Sequence, residues 1–302
     1  MLFFGVMAGL SDMRFFFLFM TLLISSTCGV WAASESSPDI TNVQLICGKI
    51  GSKLSSVTIA ECNDILFNQP RFYSSDGLPI LEKHYAATSE DAPRILFIGG
   101  IHGDEYSSVS VTFKWLGMLH KHHSGIFDWH FIPLANPDGL LQKRSSRVNK
   151  NKVDLNRNFI PAPNFPEPLA HWRERAKKRA RYYPGHEPLS EPETRMIHQL
   201  IDEYRPDVII SVHAPHGILD FDGNSLKPPR KLGPLYLRQL GTYPGSLGNY
   251  AWFVKGIPVM TIELPHAGIM PTPHDVNRMW TDLVRWVDRK AKSQRALVLK
   301  EP

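Results

Sequence analysis

Cysteine is scarce in this chain. Cys28, Cys47 and Cys62 are the only three in 302 residues, too few for a disulfide-built scaffold and without the spacing of a cysteine zinc knuckle. Long apolar runs are scarce as well. The most continuous one, Phe15 to Ile24, gives way at once to small and polar residues and is shorter than the roughly 20 residues a bilayer-spanning helix needs. No internal repeat is visible, and charged residues are 21% of the chain with a formal balance of +5. These features exclude a fibrous or an acidic disordered chain. Much of the positive charge sits in one stretch, HWRERAKKRARYYPG, read as a solvated basic helix. With no zinc finger, helix-turn-helix or aromatic-basic strand pattern beside it, no nucleic-acid partner is expected.

What remains is ample for one large core, since 43% of the residues are hydrophobic. The first 32 residues have the order of a secretory leader: Arg14, the apolar run, then small residues ending in Val30 and Ala32 at the positions a signal peptidase reads. Met13 offers a second start for the same leader. The expectation is cleavage and export with no stable membrane insertion afterwards. A retained anchor is the competing reading, and it needs the earlier apolar residues to join the run. Cys28 would leave with the leader. An exported chain with two remaining cysteines, Cys47 and Cys62, then predicts one disulfide closing a short hairpin-like loop; two buried thiols are the alternative.

Residues 33–88 read as a small N-terminal β element of short strands and turns, and 89–302 as the main domain. From Arg94 the pattern changes. RILFIGG, the strand in DWHFIPLANPDG, PDVIISVHAPHG and PVMTIELPHAG are short continuous apolar runs of the buried-strand type. Helix candidates alternate with them: YSSVSVTFKWLGMLHKH, a segment after Ser190 with a Ser190–Glu193 capping-box pattern, and HDVNRMWTDLVRWVDRK. This alternation predicts an α/β fold, a mixed and mostly parallel central sheet with helices on both faces. In such sheets ligands bind beyond the carboxyl ends of the strands. Polar residues stand there: His102 and Glu105 after one strand, His213 at the end of another, Glu263 at the end of a third. Two imidazoles and a carboxylate form a catalytic zinc set with a position left for water.

The ordered motifs HGDE, NPDG, VDLNRNF, SEPET, SVH and TIELP, spread over Arg94 to Leu264, resemble the zinc carboxypeptidase superfamily M14. Within it the likeness runs to bacterial murein peptide amidases and the related periplasmic peptidoglycan D,L-carboxypeptidases. The resemblance implies one Zn2+ held by His102, Glu105 and His213, a general base at Glu263, and a terminal-carboxylate clamp at Asn156 and Arg157. It implies a carbonyl-polarising arginine at Arg147, with Arg144 near enough in sequence to be confused with it. The tyrosine that covers substrate in digestive members has no exact counterpart. Tyr243 is the candidate, and Tyr250 is read as packing the core. The implied substrate is a peptidoglycan-derived peptide cleaved at the γ-D-glutamyl–meso-diaminopimelate amide in the periplasm. Asp220 and Asp222 would meet the diaminopimelate ammonium, or form a solvent-facing acidic turn. Asp104 and Asp138 are read as residues that orient the histidines. A general exported metallocarboxypeptidase or a small-amide deacylase is the competing activity.

Overall fold

The apolar runs become the centre of one eight-stranded sheet. The computed structural model describes residues 41–298, with side chains as far as residue 289. The predicted leader, 1–32, and Cys28 lie outside the described residues. In chain order the elements are α1 (Asn42–Lys53), α2 (Ile59–Asp64), β1 (Phe72–Tyr73), β2 (Pro79–Ile80), β3 (Lys83–Tyr85), β4 (Arg94–Gly99), α3 (Tyr106–His122), β5 (Asp128–Ile132) and α4 (Pro137–Leu141). There follow α5 (Pro168–Glu174), α6 (Pro192–Tyr204), β6 (Val208–His213), β7 (Ile218–Asp222), β8 (Lys231–Leu232), β9 (Leu235–Leu237), β10 (Val259–Glu263) and α7 (Pro273–Val298).

The N-terminal element is part helix, which corrects the strand reading of its first half. Each helix opens with a reciprocal capping box. Thr41 Oγ1 accepts from Gln44 N and the Gln44 side chain accepts from Thr41 N; Thr58 and Glu61 repeat the arrangement. Val43, Ile46, Cys47 and Ile50 fall on one buried face of α1 at helical spacing. The small β element is confined to β1 and β2, an antiparallel pair. A disulfide joins Cys47 to Cys62, with Cα atoms 5.5 Å apart, so it ties two helices and not a hairpin. The apolar face they share merges with the main core through Leu54, Val57, Ile65 and Phe67.

The main sheet has the order β3-β5-β4-β6-β10-β7-β9-β8. Its centre, β5-β4-β6-β10, is parallel; β3 pairs antiparallel at one side and β7 at the other. Side chains alternate between faces, as the two-residue period of a strand requires. Phe97, Ile210 and Ile262 pack into one core with α1, α3 and α7. Leu96, Ile98, Ile209 and Val259 pack into a second core with α6. Phe97 stacks on Phe131 at 4.5 Å between ring centres; burial of one such side chain stabilises the fold by about 1.5–3 kcal/mol.

Two further local expectations are corrected. Ser190 does not cap α6: the N-cap is Glu191, and the Glu193 side chain turns to Ser75. The basic stretch is not one helix either. It breaks after Glu174, passes through positive φ at Lys177 and Lys178, and ends in a short 3-10 turn, Ala180–Tyr182.

Reduction of the Cys47–Cys62 bond should loosen the helix pair. The closed segment, 15 residues in separation, corresponds to about 3 kcal/mol in the chain-entropy model. A Cys47→Ser/Cys62→Ser double variant should therefore melt roughly 5–10 °C lower. Calorimetry of both proteins, with mass spectrometry of the nonreduced chain, checks this; equal melting temperatures would refute it.

Candidate metal centre and substrate cleft

Four parallel strands end on the same edge of the sheet, and the polar residues found in sequence gather there. His213 is the last residue of β6 and is the register partner of Glu263, the last residue of β10. Ser211, His213, Thr261 and Glu263 alternate with the core residues Val212 and Ile262. The loop after β4 brings His102 and Glu105 to the same edge. Gly103 makes that loop possible, because a Cβ there would lie 2.1 Å from the backbone of Gly139.

The three ligand candidates are buried, and their donor atoms lie within 4.8 Å of one another. His102 Nδ1 is 2.7 Å from Glu105 Oε1, and His213 Nδ1 is 3.2 Å from both His102 Nδ1 and Glu105 Oε2. The outer nitrogens have partners of their own. His102 Nε2 is 3.2 Å from Asp154 Oδ1, and His213 Nε2 is 2.9 Å from Ser211 Oγ. Protons placed on those outer nitrogens leave both Nδ1 atoms unprotonated beside the carboxylate. This N2O donor set, each imidazole steadied from behind, fits a zinc ion with room for one further ligand. The backbone N–H of Ala214 donates to Glu105 Oε2 at 3.1 Å and holds the carboxylate in place.

Asp154 also binds Arg147, accepting from its Nε at 2.8 Å. Burial opposes the charge on Asp154, but Arg147 and then His102 hold its carboxyl well below the usual range. Burial likewise opposes the Arg147 charge, and Asp154 and Glu105 more than compensate, so the guanidinium stays protonated. An Arg147 Nη1 reaches within 3.2 Å of His102 Nδ1, which places this arginine beside the metal position. Arg144 is exposed and does not line the cleft.

A cleft of about 350 Å³ contains the three ligand candidates with Arg147, Asn156, Arg157, Asp220, Asp222, Tyr243 and Glu263. Asn156 Oδ1 accepts from Leu247 N at 2.8 Å, and Arg157 Nη1 donates to the Asn156 carbonyl at 2.6 Å. The Arg157 guanidinium lies 4.4 Å from the centre of the Tyr243 ring. Burial, and then the like charge of Arg147, pull the Arg157 pKa down. Asp220 Oδ1 accepts from Phe221 N and Leu240 N. Asp222 sits against Gly248, where a Cβ would come within 1.9 Å of its Oδ2. Burial, and then the charge of Asp220, push Asp222 up to about 7. Glu263 is buried, and His216 N approaches its Oε2 at 3.5 Å.

Tyr250 is outside the cleft. It is buried, stacks on Phe159 and hydrogen-bonds His198. Asp104 and Asp138 do not orient the histidines, contrary to expectation. Asp104 pairs with Arg181 at 3.6 Å, and Asp138 binds Ser74 and the amide N–H groups of Asp76 and Lys150. Asp154 and Ser211 stand behind the imidazoles instead. Ser211 was findable, since position i−2 of a strand shares the face of its histidine. Arg181 and Tyr182, which also line the cleft, arrive by tertiary folding with no local signal.

Comparison with known proteins agrees with this geometry. The zinc carboxypeptidase family profile of peptidase class M14 matches residues 68–231. Murein peptide amidase A of Escherichia coli strain K12 is 37% identical over 226 residues, covering 71% of this chain and 88% of its own. The protein of the same name from Vibrio campbellii is 30% identical over 199 residues, covering 63% and 75%. Bovine thrombin-activatable fibrinolysis inhibitor, solved with a tick carboxypeptidase inhibitor, is similar in fold: 16% identity, TM-score 0.55, 74% of this chain and 89% of that one. With its His102, Glu105 and His213 donors set at the strand ends, the chain belongs to the zinc carboxypeptidase family and is a zinc metallopeptidase.

Proposed function

We propose that this chain is an exported, periplasmic D,L-carboxypeptidase that hydrolyses the γ-D-glutamyl–meso-diaminopimelate amide of murein peptides. The observation that carries this reading is a pairing of signs inside one cleft: the Asn156–Arg157 clamp beside the two-carboxylate pocket of Asp220 and Asp222. Diaminopimelate at the chain end offers a carboxylate to the first and a side-chain ammonium to the second. The similarity to murein peptide amidases and the leader-like residues 1–32 point the same way.

A bound zinc supplies Lewis acidity and lowers the pKa of water. The protein's own groups do the rest. Arg157 presents a planar fork to the terminal carboxylate, and Asn156 adds a donor without further charge. That grip sets the scissile carbonyl beside Arg147, which stabilises the oxyanion as the water oxygen adds to the carbonyl carbon. Glu263 takes the proton lost by that water and returns it to the amide nitrogen as the C–N bond breaks. The products are a new carboxylate on the glutamyl side and free diaminopimelate. Tyr243, exposed over Arg157, covers the bound end.

Purified protein should hold one zinc per chain, and Glu263→Gln should retain it while turnover falls about 10²–10⁴-fold. Metal analysis and steady-state kinetics on the same preparation decide the matter. Near-normal turnover of the variant would reassign Glu263 to structure.

The clamp should read a free chain end. The tripeptide ending in diaminopimelate should lose that residue, whereas its tetrapeptide and its C-terminal amide should not. Arg157→Lys keeps the charge but loses the two-donor fork, so it too should be impaired. Mass spectrometry of the digests distinguishes the cases. Equal cleavage of all three would make the enzyme endo-acting, and release of ordinary C-terminal residues would favour a general carboxypeptidase.

Asp222 should impose a pH dependence on binding. Its folded pKa is raised to about 7, so the carboxylate that attracts an ammonium forms as pH rises through neutrality. KM for the tripeptide should fall between pH 6 and 8, and Asp222→Asn should flatten that limb. In the empty protein the sign is opposite. The penalty for burying charge is absent below the ordinary carboxyl pKa and grows as pH rises towards 7, so diaminopimelate should raise the melting temperature more at pH 8 than at pH 6. A KM that ignores pH in the native enzyme would remove Asp222 from the pocket's chemistry.

A further inference from the structure

The acyl side of a bound substrate must leave the metal away from Arg157, because the chain terminates there. Besides Arg157, the cleft is lined by Arg147, Asp104, Arg181 and Tyr182. A second, larger groove of about 1110 Å³ adjoins the cleft at Arg181, which lines both spaces. The partition between them is thin: Arg147 faces the cleft, while its neighbours Ser146 and Val148 line the groove. One wall is α1, the helix tied by the disulfide, which lies before the start of the family match at residue 68.

The groove is cationic. Lys49, Lys53, Lys150, Lys152 and Arg181 line it against two carboxylates, Asp76 and Asp138. Asp138 is occupied by Ser74 and two backbone N–H groups, and Asp76 by Lys150 at 2.9 Å. Lys53 is held by the carbonyl oxygens of Gln142 and Lys143, which orient its ammonium without neutralising it. Lys49 and Lys152 are exposed. Between the cations lie Leu45 and Ile59, each 45% exposed. At the seam the Arg181–Asp104 pair is loose, 3.6 Å apart with the arginine side chain 55% exposed. Such a pair holds its partners weakly. Asp104 Oδ1 is buried without a hydrogen-bond partner among the described residues.

We propose that this groove is the acyl-side extension of the catalytic cleft and takes an anionic stem preceding the scissile amide. This rests on the murein-peptide reading above and adds the part of the substrate that the reacting residues do not touch. A γ-linked glutamyl residue leaves its α-carboxylate free, three carbons from the reacting carbonyl. Arg181 stands where that carboxylate emerges, and Asp104 Oδ1 offers an acceptor to the next amide N–H. Lys49 and Lys152 meet charge farther along the stem, while Leu45 and Ile59 receive its apolar groups. The N-terminal helix pair is thereby a wall of the binding site, which gives the disulfide a functional consequence.

The test uses the zinc-loaded full chain and the acyl product, N-acetylmuramyl-L-alanyl-D-glutamate, as a binding probe that needs no turnover. Calorimetric titration should give saturable binding that weakens about three- to tenfold in Lys49→Gln/Lys152→Gln and weakens further with salt. Arg181→Gln should act in the same direction. In parallel, kcat/KM on the muramyl tripeptide relative to the dipeptide γ-D-glutamyl-diaminopimelate should exceed unity in the native enzyme. That ratio should fall towards one in the lysine variant. Equal probe affinity in native and variant proteins, or hydrolysis without any preference for the longer stem, would overturn the groove and leave the murein-peptide reading standing. No release of diaminopimelate from either substrate would overturn both.

Discussion

The side of the site that holds His102, Arg147, Asn156 and Arg157 depends on one buried carboxylate, Asp154. Its Oδ1 meets His102 Nε2 and the amide N–H of Asn156, and its Oδ2 receives Arg147 Nε. A single fully buried side chain thus connects a metal ligand, the arginine beside the metal position and the backbone that carries Asn156 and Arg157. Removing one partner from a buried charged network costs about 3–5 kcal/mol, because the others are left without compensation. The cost would fall on geometry as well as on stability. His102 would lose the acceptor that fixes its tautomer, and Arg147 would lose its anchor.

The segment around Asp154 is held from outside by a second polar network. Asn149 donates to Ser75 and to the carboxylates of Glu191 and Glu193, and Asn151 donates to Glu191. Asn158 donates to Pro184 and Glu187 carbonyls, and its own carbonyl receives Glu191 N and Thr194 Oγ1. The acids that open α6 therefore serve tertiary bonding more than helix capping. Glu193 is pushed up to about 7 by burial, a sign of how deep this anchor lies. The motifs NPDG and SEPET carry more than the family likeness. In the fold they brace the loop from which Arg147, Asn156 and Arg157 project.

The sheet was legible because its strands are continuous apolar runs and because the residues at their ends share one face. Residues 42–64 were harder. NVQLICGKI is short enough to read as strand or helix from hydrophobicity alone, and the capping boxes at Thr41–Gln44 and Thr58–Glu61 were the signals that could have decided it. For the site, the metal donors could be read from ordered motifs, but the acid behind His102 is Asp154 and not the expected Asp104 or Asp138. All three stand near the motifs in sequence, and only tertiary folding turns Asp138 towards Ser74 and Asp104 towards Arg181. Arg181 itself sits in a run that composition describes as solvated surface, and its place at the cleft follows from the break after Glu174.

The sequence of charge along the cleft constrains what can lie in it. Arg157, Asp220, Asp222, Arg147 and Arg181 line one cleft together with the metal donors. Two neighbouring carboxyls drawn out of water are unfavourable for the empty fold at neutral pH. A pocket for an aliphatic side chain would gain nothing from them, and hydrophobic residues of similar size would serve it better. In the proposed complex a ligand ammonium offsets that penalty, and it arrives with a substrate whose carboxylate Arg157 also binds. On the proposed reading, the raised Asp222 is a means of discrimination. An uncharged side chain leaves the burial cost in place, whereas diaminopimelate removes it at the moment the scissile amide is positioned.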